Sequence, residues 1–209
     1  MAASRDVQML NTMAQMQDLH NQHVHPQWRT NGYEYYRAIW VECAEMLDHF
    51  GWKWWKKQDP DLEQVKLELV DIWHFALSEL LRAEQLDDAM AAQLAAVAAD
   101  TEPQPEAFRQ AIEALALSSL RTQSFVLDDF IQAMATLPMS FDELYSMYIG
   151  KNVLNNFRQD HGYKDGTYHK LWHGREDNEH LVDVLAELQD AGGDLPQQLY
   201  AALEARYPA

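Results

Sequence analysis

The chain's 209 residues give room for one generous domain or two small ones and are enough to bury a sizeable core. Apolar residues make up 47% and charged residues 23%, with only 8 Gly and 7 Pro, a composition that excludes a disordered or fibrous chain. The 16 basic residues against 33 acidic ones leave a formal charge of −17, which repels nucleic-acid phosphate and argues against a nucleic-acid partner; acids that converge in a pocket would instead ask for a divalent cation.

Residues 1–10 lack the basic start and apolar core of a signal peptide, and no stretch reaches the roughly 18 apolar residues of a spanning helix, so no membrane partner is expected. Met9, Met13 and Met16 recur at helical spacing, as do Ile39, Cys43, Met46 and Phe50, and then Leu62, Val65, Leu69, Ile72 and Leu80. The spacing predicts helices over 5–22, 33–50 and 61–86, the second opened by Asn31-Gly32 and the third by Asp59-Pro60-Asp61. Cys43 is the single cysteine and cannot make an intramolecular disulfide, which makes a cytoplasmic address the default.

Past Asp87 the texture changes to an Ala-rich stretch from Ala89 to Ala99, a break at Thr101-Glu102-Pro103-Gln104-Pro105 and a helical pattern from Glu106 to Leu120. This segment carries little chemistry and reads as scaffold or dimer surface. Ser140 is the expected N-cap of a helix from Phe141 to about Gln159, followed by a Gly-punctuated loop over 161–166, a helix from Glu179 to Asp190 and a shorter one after Leu195. The expectation is one all-α domain over 1–209, a multi-helix bundle with core helices at about 5–86, a variable segment at about 87–138 and a C-terminal part at about 139–209.

Glu42 and Glu45 are three apart on the second helix, and Glu68 and Asp71 are three apart on the third, so each pair shares a helix face. Two such helices packed antiparallel would point four carboxylates at one volume, an oxygen cage suited to Mg²⁺. Isolated pairs of this kind are mostly solvated faces. Here Ala38, Ile39 and Met46 flank Glu42, Val65 and Ile72 flank Glu68, and Phe75 lies one turn beyond Asp71, so these acids face apolar neighbours and need partners. His74 follows Asp71 by three, which invites a di-iron reading, but no second such pair exists and the ligand set stays all-oxygen. His74 is then read as a packing or substrate-side residue.

Three Trp in four positions, Trp52, Trp54 and Trp55, stand among Lys53, Lys56 and Lys57, and two readings are open: a core anchor joining two helices, or a wall on which a planar base stacks. Lys151, Asn155 and Arg158 form one polar stripe on a helix, with Lys164 in the loop beyond. In so acidic a chain they suggest an anion site or, failing that, surface ion pairs.

These segments together resemble the dimeric, all-α dUTPases, relatives of the MazG-like NTP pyrophosphatases. The resemblance runs through Met16-Gln17-Asp18-Leu19-His20-Asn21, Arg37 to Glu45, Gly51 to Lys56, Glu68 to Ser78, Tyr148 to Asp160 with Gly162-Tyr163-Lys164, and Glu176-Asp177-Asn178, in that order. Residues 87–138 match none of the motifs, and His20 stands where the family usually has Leu before Asn21.

The resemblance implies hydrolysis of dUTP, and of dUDP, to dUMP by a homodimer that acts on this small nucleotide with Mg²⁺, more than one ion when substrate is bound. Glu42, Glu45, Glu68 and Asp71 would hold metal, with Glu45 also taking the proton from the attacking water. Gln17 and Asn21 would read uracil, whose edge a carboxamide can match, and Trp54 would stack on it. His74 and Phe75 would border the sugar. Lys151, Arg158 and Lys164 would take the outer phosphates and Asn155 the 3′-hydroxyl. The rival readings are a related pyrophosphatase with another base preference, such as dCTP, and a non-catalytic nucleotide sensor.

Overall fold

Residues 3–97, 102–188 and 194–208 are described by a computed structural model, in which the chain divides into two compact units, 1–145 and 146–209. The first unit begins with α1 (Arg5–Val24), where the Ser4 hydroxyl accepts from the Val7 N–H at 3.3 Å and satisfies one of the donors a helix start leaves open. Met9, Leu10, Met13, Ala14 and Gln17 form its buried stripe, so Gln17 is carried into the core by the same periodicity that buries the methionines.

Helix α2 (Tyr35–Phe50) starts two residues later than the position 33 that Asn31-Gly32 suggests. The Asn31 carboxamide is occupied by the His25 ring at 3.0 Å and the Tyr33 hydroxyl at 2.9 Å, and Gly32 turns the chain at φ 68°, so the pair builds the preceding turn instead of the cap. The buried face of α2 is Ile39, Cys43, Met46 and Phe50.

Helix α3 (Leu62–Arg82) opens where expected, with the Asp61 carboxylate accepting from the Gln64 N–H. It ends four residues before the periodicity does. Glu84 adopts φ 55° and the Gln85 N–H reaches back to the Leu80 carbonyl at 2.9 Å, a left-handed stop made without the glycine that would have marked it in the sequence. From Leu67 to Leu80 only Asp71 and Phe75 are less than fully buried, which makes α3 the central helix of the unit.

The middle of the chain supplies packing partners. Helix α4 (Ala89–Ala95) lies against α1, and α5 (Pro105–Thr122), begun by a proline at its first position, lies against α2 with Phe108 and Phe50 ring centroids 4.6 Å apart. The end of the Ala-rich stretch, residues 98–99, is outside the described residues. A further helix, α6 (Leu127–Thr136), lies between the two that the sequence pattern predicts on either side. It stacks Phe130 on Trp73 of α3 at 5.3 Å, so an aromatic contact distant in sequence fixes it.

Helix α7 (Phe141–Asp160) is capped by Ser140, whose hydroxyl accepts from the Glu143 N–H at 3.1 Å, and the boundary between the units falls within it. In the second unit, Gly162 ends α7 at φ 85°, a backbone position that costs other residues strain. A short antiparallel ribbon follows, β1 (Leu171–Trp172) paired with β2 (Arg175–Glu176), then α8 (Asp177–Leu188) and α9 (Leu195–Glu204). The helix predicted over 179–190 begins two residues earlier, and positions 189–190 are outside the described residues. The unit's core is aromatic, with Phe157, Trp172 and Tyr207 in mutual contact at 5.3–5.7 Å.

The fold is therefore all-α apart from the two-residue strands, and among the described residues no helix is long and apolar enough to cross a membrane. Because Phe108 is fully buried against Phe50 on the helix that carries Glu42, Phe108→Ala is expected to cost about 3–5 kcal/mol, read as a lower denaturation midpoint in urea at unchanged slope.

Candidate active site

Helix packing brings one oxygen from each of Glu42, Glu68 and Asp71 within 4.8 Å of one another. Glu68 is buried and the other two are half-buried. Three carboxylates so close cannot all ionise without a cation. The Glu42 carboxyl is pushed up to about 9, first by burial and then by the charges of Asp71 and Glu68, and it shares a hydrogen bond with Glu68 that itself requires a proton. The donor set is hard oxygen throughout, which fits Mg²⁺ in kind and excludes a soft thiolate site.

Glu45 is exposed and is not one of the three converging acids. The reason is its helical position. One turn from Glu42 on either side stand the buried residues Ile39 and Met46, whereas Val41, Asp48 and His49, one turn from Glu45, are not buried. His49, which carries no signal in the sequence beyond lying two turns after Glu42, brings Nε2 to 3.5 Å from Glu68 Oε1. His74 turns Nδ1 to the Val70 carbonyl at 2.9 Å and stands 4.0 Å from Asp71 Oδ1; Phe75 beside it is half-buried.

A second cluster joins α1 to α3. Gln17 Nε2 donates to Asn21 Oδ1 and to Ser78 Oγ, both at 3.0 Å, and Asn21 Nδ2 donates to Ser78 Oγ at 2.9 Å. The Ser78 hydroxyl donates to the His74 carbonyl at 2.9 Å. Tyr35, at the start of α2, hydrogen-bonds the same serine, and its phenol is pushed up to about 12, chiefly by burial, so it stays neutral. Ser78 closes one of the motifs, but nothing in the sequence gives it a partner 61 residues away.

The three tryptophans are at the surface, 47%, 89% and 57% exposed for Trp52, Trp54 and Trp55, so they are not the core anchor that was one of their two readings. Trp54 lines an open pocket of about 440 Å³ with Trp52, Lys56, Lys57, Pro105 and Arg109.

In the second unit the polar stripe of α7 is drawn together by Asp177 and Asn178 at the start of α8. Arg158 grips Asp177 with two bonds of 2.8 Å, from Nε and Nη2, and also reaches Asn155 Oδ1 at 3.1 Å and Asn178 Oδ1 at 3.2 Å. Buried Lys151 donates to Asn178 Oδ1 at 2.9 Å, and the Tyr168 hydroxyl donates to Asp177 Oδ2 at 2.8 Å. Burial works against the charge on Asp177, yet Arg158 and Tyr168 outweigh it and hold the carboxyl below its ordinary value. Lys151 and Arg158 thus both act on this one carboxylate. Lys164 is exposed in the loop after Gly162. Asp177 lies in the last of the resembling segments, but its residue type gives no hint that it organises cations.

The raised Glu42 carboxyl sets a pH dependence. Between its ordinary value of 4.5 and about 9 the folded, metal-free chain holds a proton that the unfolded chain has released, so this group's contribution to stability is lost as pH rises through that window. A divalent cation bound by the cluster would replace the proton. The gain in melting temperature on adding Mg²⁺ is accordingly expected to be larger at about pH 8.5 than at about pH 6, and an equal gain at both contradicts cation binding by this cluster.

Comparison with the curated proteins finds no match. A dUTPase family profile, however, matches residues 9–163, a span that takes in Gln17 and Asn21, the acids of α2 and α3, and the stripe of α7. With this match over most of its length and an all-α fold, the chain belongs to the all-α dUTPase family, and it is a dUTP diphosphatase.

Proposed function

We propose that the chain hydrolyses dUDP as well as dUTP, in both cases to dUMP, at a Mg²⁺ centre held by Glu42, Glu68 and Asp71, joined by Glu45 when substrate brings more than one ion. The observation that carries this reading is the convergence of the three acids, one of which must hold a proton when no cation is present. Bound there, Mg²⁺ neutralises phosphate oxygens and makes water a better nucleophile. The oxygen of water bonds to the α-phosphorus as the bridging oxygen leaves with pyrophosphate from dUTP, or with phosphate from dUDP. Glu45, exposed and one turn from Glu42, accepts the proton released by that water.

Gln17 and Asn21 read the uracil edge and Trp54 stacks on the ring, a role supported by its exposure. Phe75 borders the sugar at C2′ with His74 beside it. Lys151, Arg158 and Lys164 take the outer phosphates and Asn155 the 3′-hydroxyl, supported by the gathering of Lys151, Asn155 and Arg158 around Asp177 and Asn178. The protein acts as a cytoplasmic homodimer. The reading of the middle segment as dimer surface is supported by α5, which exposes Leu117 and Leu120, and a dimer mass by light scattering is its check.

Release of inorganic pyrophosphate from dUTP, dCTP, dTTP and UTP, with Mg²⁺ and with a chelator, tests the whole reading. Turnover is expected to favour dUTP and to stop without the metal. Glu42→Gln and Asp71→Asn are each expected to lose about a hundredfold or more in kcat while melting no lower than the parent in chelator, because each relieves repulsion. Wild-type rates in both would remove the metal centre from the mechanism.

Arg158→Ala is expected to fail in two ways. Loss of the phosphate contact lowers kcat/KM by about a hundredfold, and the fully buried Asp177 carboxylate left without its partner costs on the order of 3 kcal/mol of stability. Arg158→Lys restores a charge without the paired bonds and recovers part of each. Steady-state kinetics together with urea denaturation separate the two effects. Unchanged kinetic constants in Arg158→Ala would move phosphate binding to Lys56 and Lys57 beside Trp54.

A further inference from the structure

We infer that Arg109, near the start of α5, is a positioning residue for nucleotide binding: it fixes the loop over 51–58 that presents Trp54, so that the middle segment of the chain helps to build the base site. The inference rests on the reading that Trp54 stacks on the base.

Trp54 is 89% exposed and meets the ring of Trp55, itself at the surface, edge-on at 5.4 Å, so its place is set by the backbone that carries it rather than by a packed core. A ring offered on a loose loop would lose that looseness on meeting a base, and binding would weaken accordingly. The loop is held at two levels. Within itself, the Gln58 carbonyl oxygen accepts from the Trp52 N–H at 3.1 Å and the Lys53 N–H at 2.8 Å, and Asp48 Oδ1 accepts from the Trp52 indole at 3.2 Å and from Lys53 Nζ at 2.6 Å. Gly51, at φ 88°, permits this closeness, since a Cβ there would stand 2.9 Å from that of Gln58. These bonds join near neighbours in the chain. They give the loop its shape without fixing where that shape lies on the unit.

Arg109 supplies the second level from 58 residues along the chain. Its Nε–H and an Nη2–H converge on the Gly51 carbonyl at 3.1 and 2.8 Å, which gives that oxygen a donor for each lone pair, and its Cζ lies 5.4 Å from the centre of the Phe50 ring. Phe50 in turn meets Phe108, the residue before Arg109, so the fork and the aromatic pair seat the root of the loop on α5 together. The third guanidinium nitrogen stands 3.8 Å from the exposed Glu106, a loose pair that leaves the grip on Gly51 as the closer contact. Arg109 also lines the pocket that Trp54 lines, so the residue that seats the loop borders the space the loop encloses. It comes from the segment over 87–138 that carries none of the motifs, which gives that segment a part in the site beyond packing.

A stack is made in the bound ground state as much as in the transition state, so its loss is read mainly in KM. Steady-state kinetics on dUTP, in the full chain with Mg²⁺, compare the wild type, Trp54→Ala, Arg109→Met, Arg109→Lys and the double variant of Trp54→Ala with Arg109→Met, each assayed well below its own thermal melt. Methionine keeps an apolar stem over Phe50 and removes both donors, so the fold is disturbed least. Trp54→Ala is expected to raise KM about tenfold and Arg109→Met about fivefold, each by more than it lowers kcat. Arg109→Lys, with one charge and no fork, is expected to fall between Arg109→Met and the wild type. In the double variant Arg109→Met is expected to add nothing to Trp54→Ala, because a residue that acts through Trp54 has nothing left to place. If Trp54→Ala raises KM while Arg109→Met leaves it at the wild-type value, or if the two increases multiply in the double variant, Arg109 merely packs α5 on α2 and the inference is overturned, with the stacking role of Trp54 intact. If Trp54→Ala itself leaves KM unchanged, the stacking role falls and the inference falls with it.

Discussion

A helix surrounded by other helices leaves its acids little contact with bulk water, and on α3 Glu68 is buried and Asp71 half-buried. Their repulsion with Glu42 is what the rest of the first unit has to hold in place. Apolar packing does so: Phe50 against Phe108 fixes α2 to α5, and Trp73 against Phe130 fixes α3 to α6. The apolar middle of the chain, which contributes no acid to the cluster, supplies the two packing helices that keep α2 and α3 in register. Stability and the capacity to hold a cation are coupled there, since the same burial that raises the Glu42 carboxyl makes the cluster attractive to a divalent ion.

The second unit treats charge in the opposite sense. Asp177 is fully buried and still ionised because one edge of the Arg158 guanidinium grips it with two bonds and the Tyr168 hydroxyl donates a third, and the paired bonds fix the guanidinium plane. A long flexible cation on an exposed helix face would lose side-chain entropy on meeting an anion. One already held by a buried carboxylate has lost that freedom during folding. The carboxylate thus acts as an organiser of the positive side chains rather than as their target.

Much of this was legible in the sequence where local rules govern. Asp61 and Ser140 cap the helices they precede, the i, i+3 spacing marks Glu68 and Asp71, and apolar periodicity locates the buried faces of α1 and α2. The failures share a physical cause. Glu84 enters a left-handed turn that carries no sequence mark, α6 is fixed by an aromatic contact more than fifty residues away in the chain, and Asn31 spends its side chain on a turn instead of a cap. Spacing alone treats Glu42 and Glu45 alike, and only the burial of the neighbours around each separates them. The joining of Gln17, Asn21 and Ser78 depends on how α1 lies on α3, which no local pattern encodes.

Calorimetric titration of Mg²⁺ into the full chain, in buffers of differing ionisation enthalpy near pH 7.5, addresses the central claim most directly, because it counts protons as well as ions. The account predicts saturable binding accompanied by release of about one proton, with both the binding and the release lost in Glu68→Gln. Binding with no proton release, or binding unaffected by Glu68→Gln, would contradict a site built from these three acids.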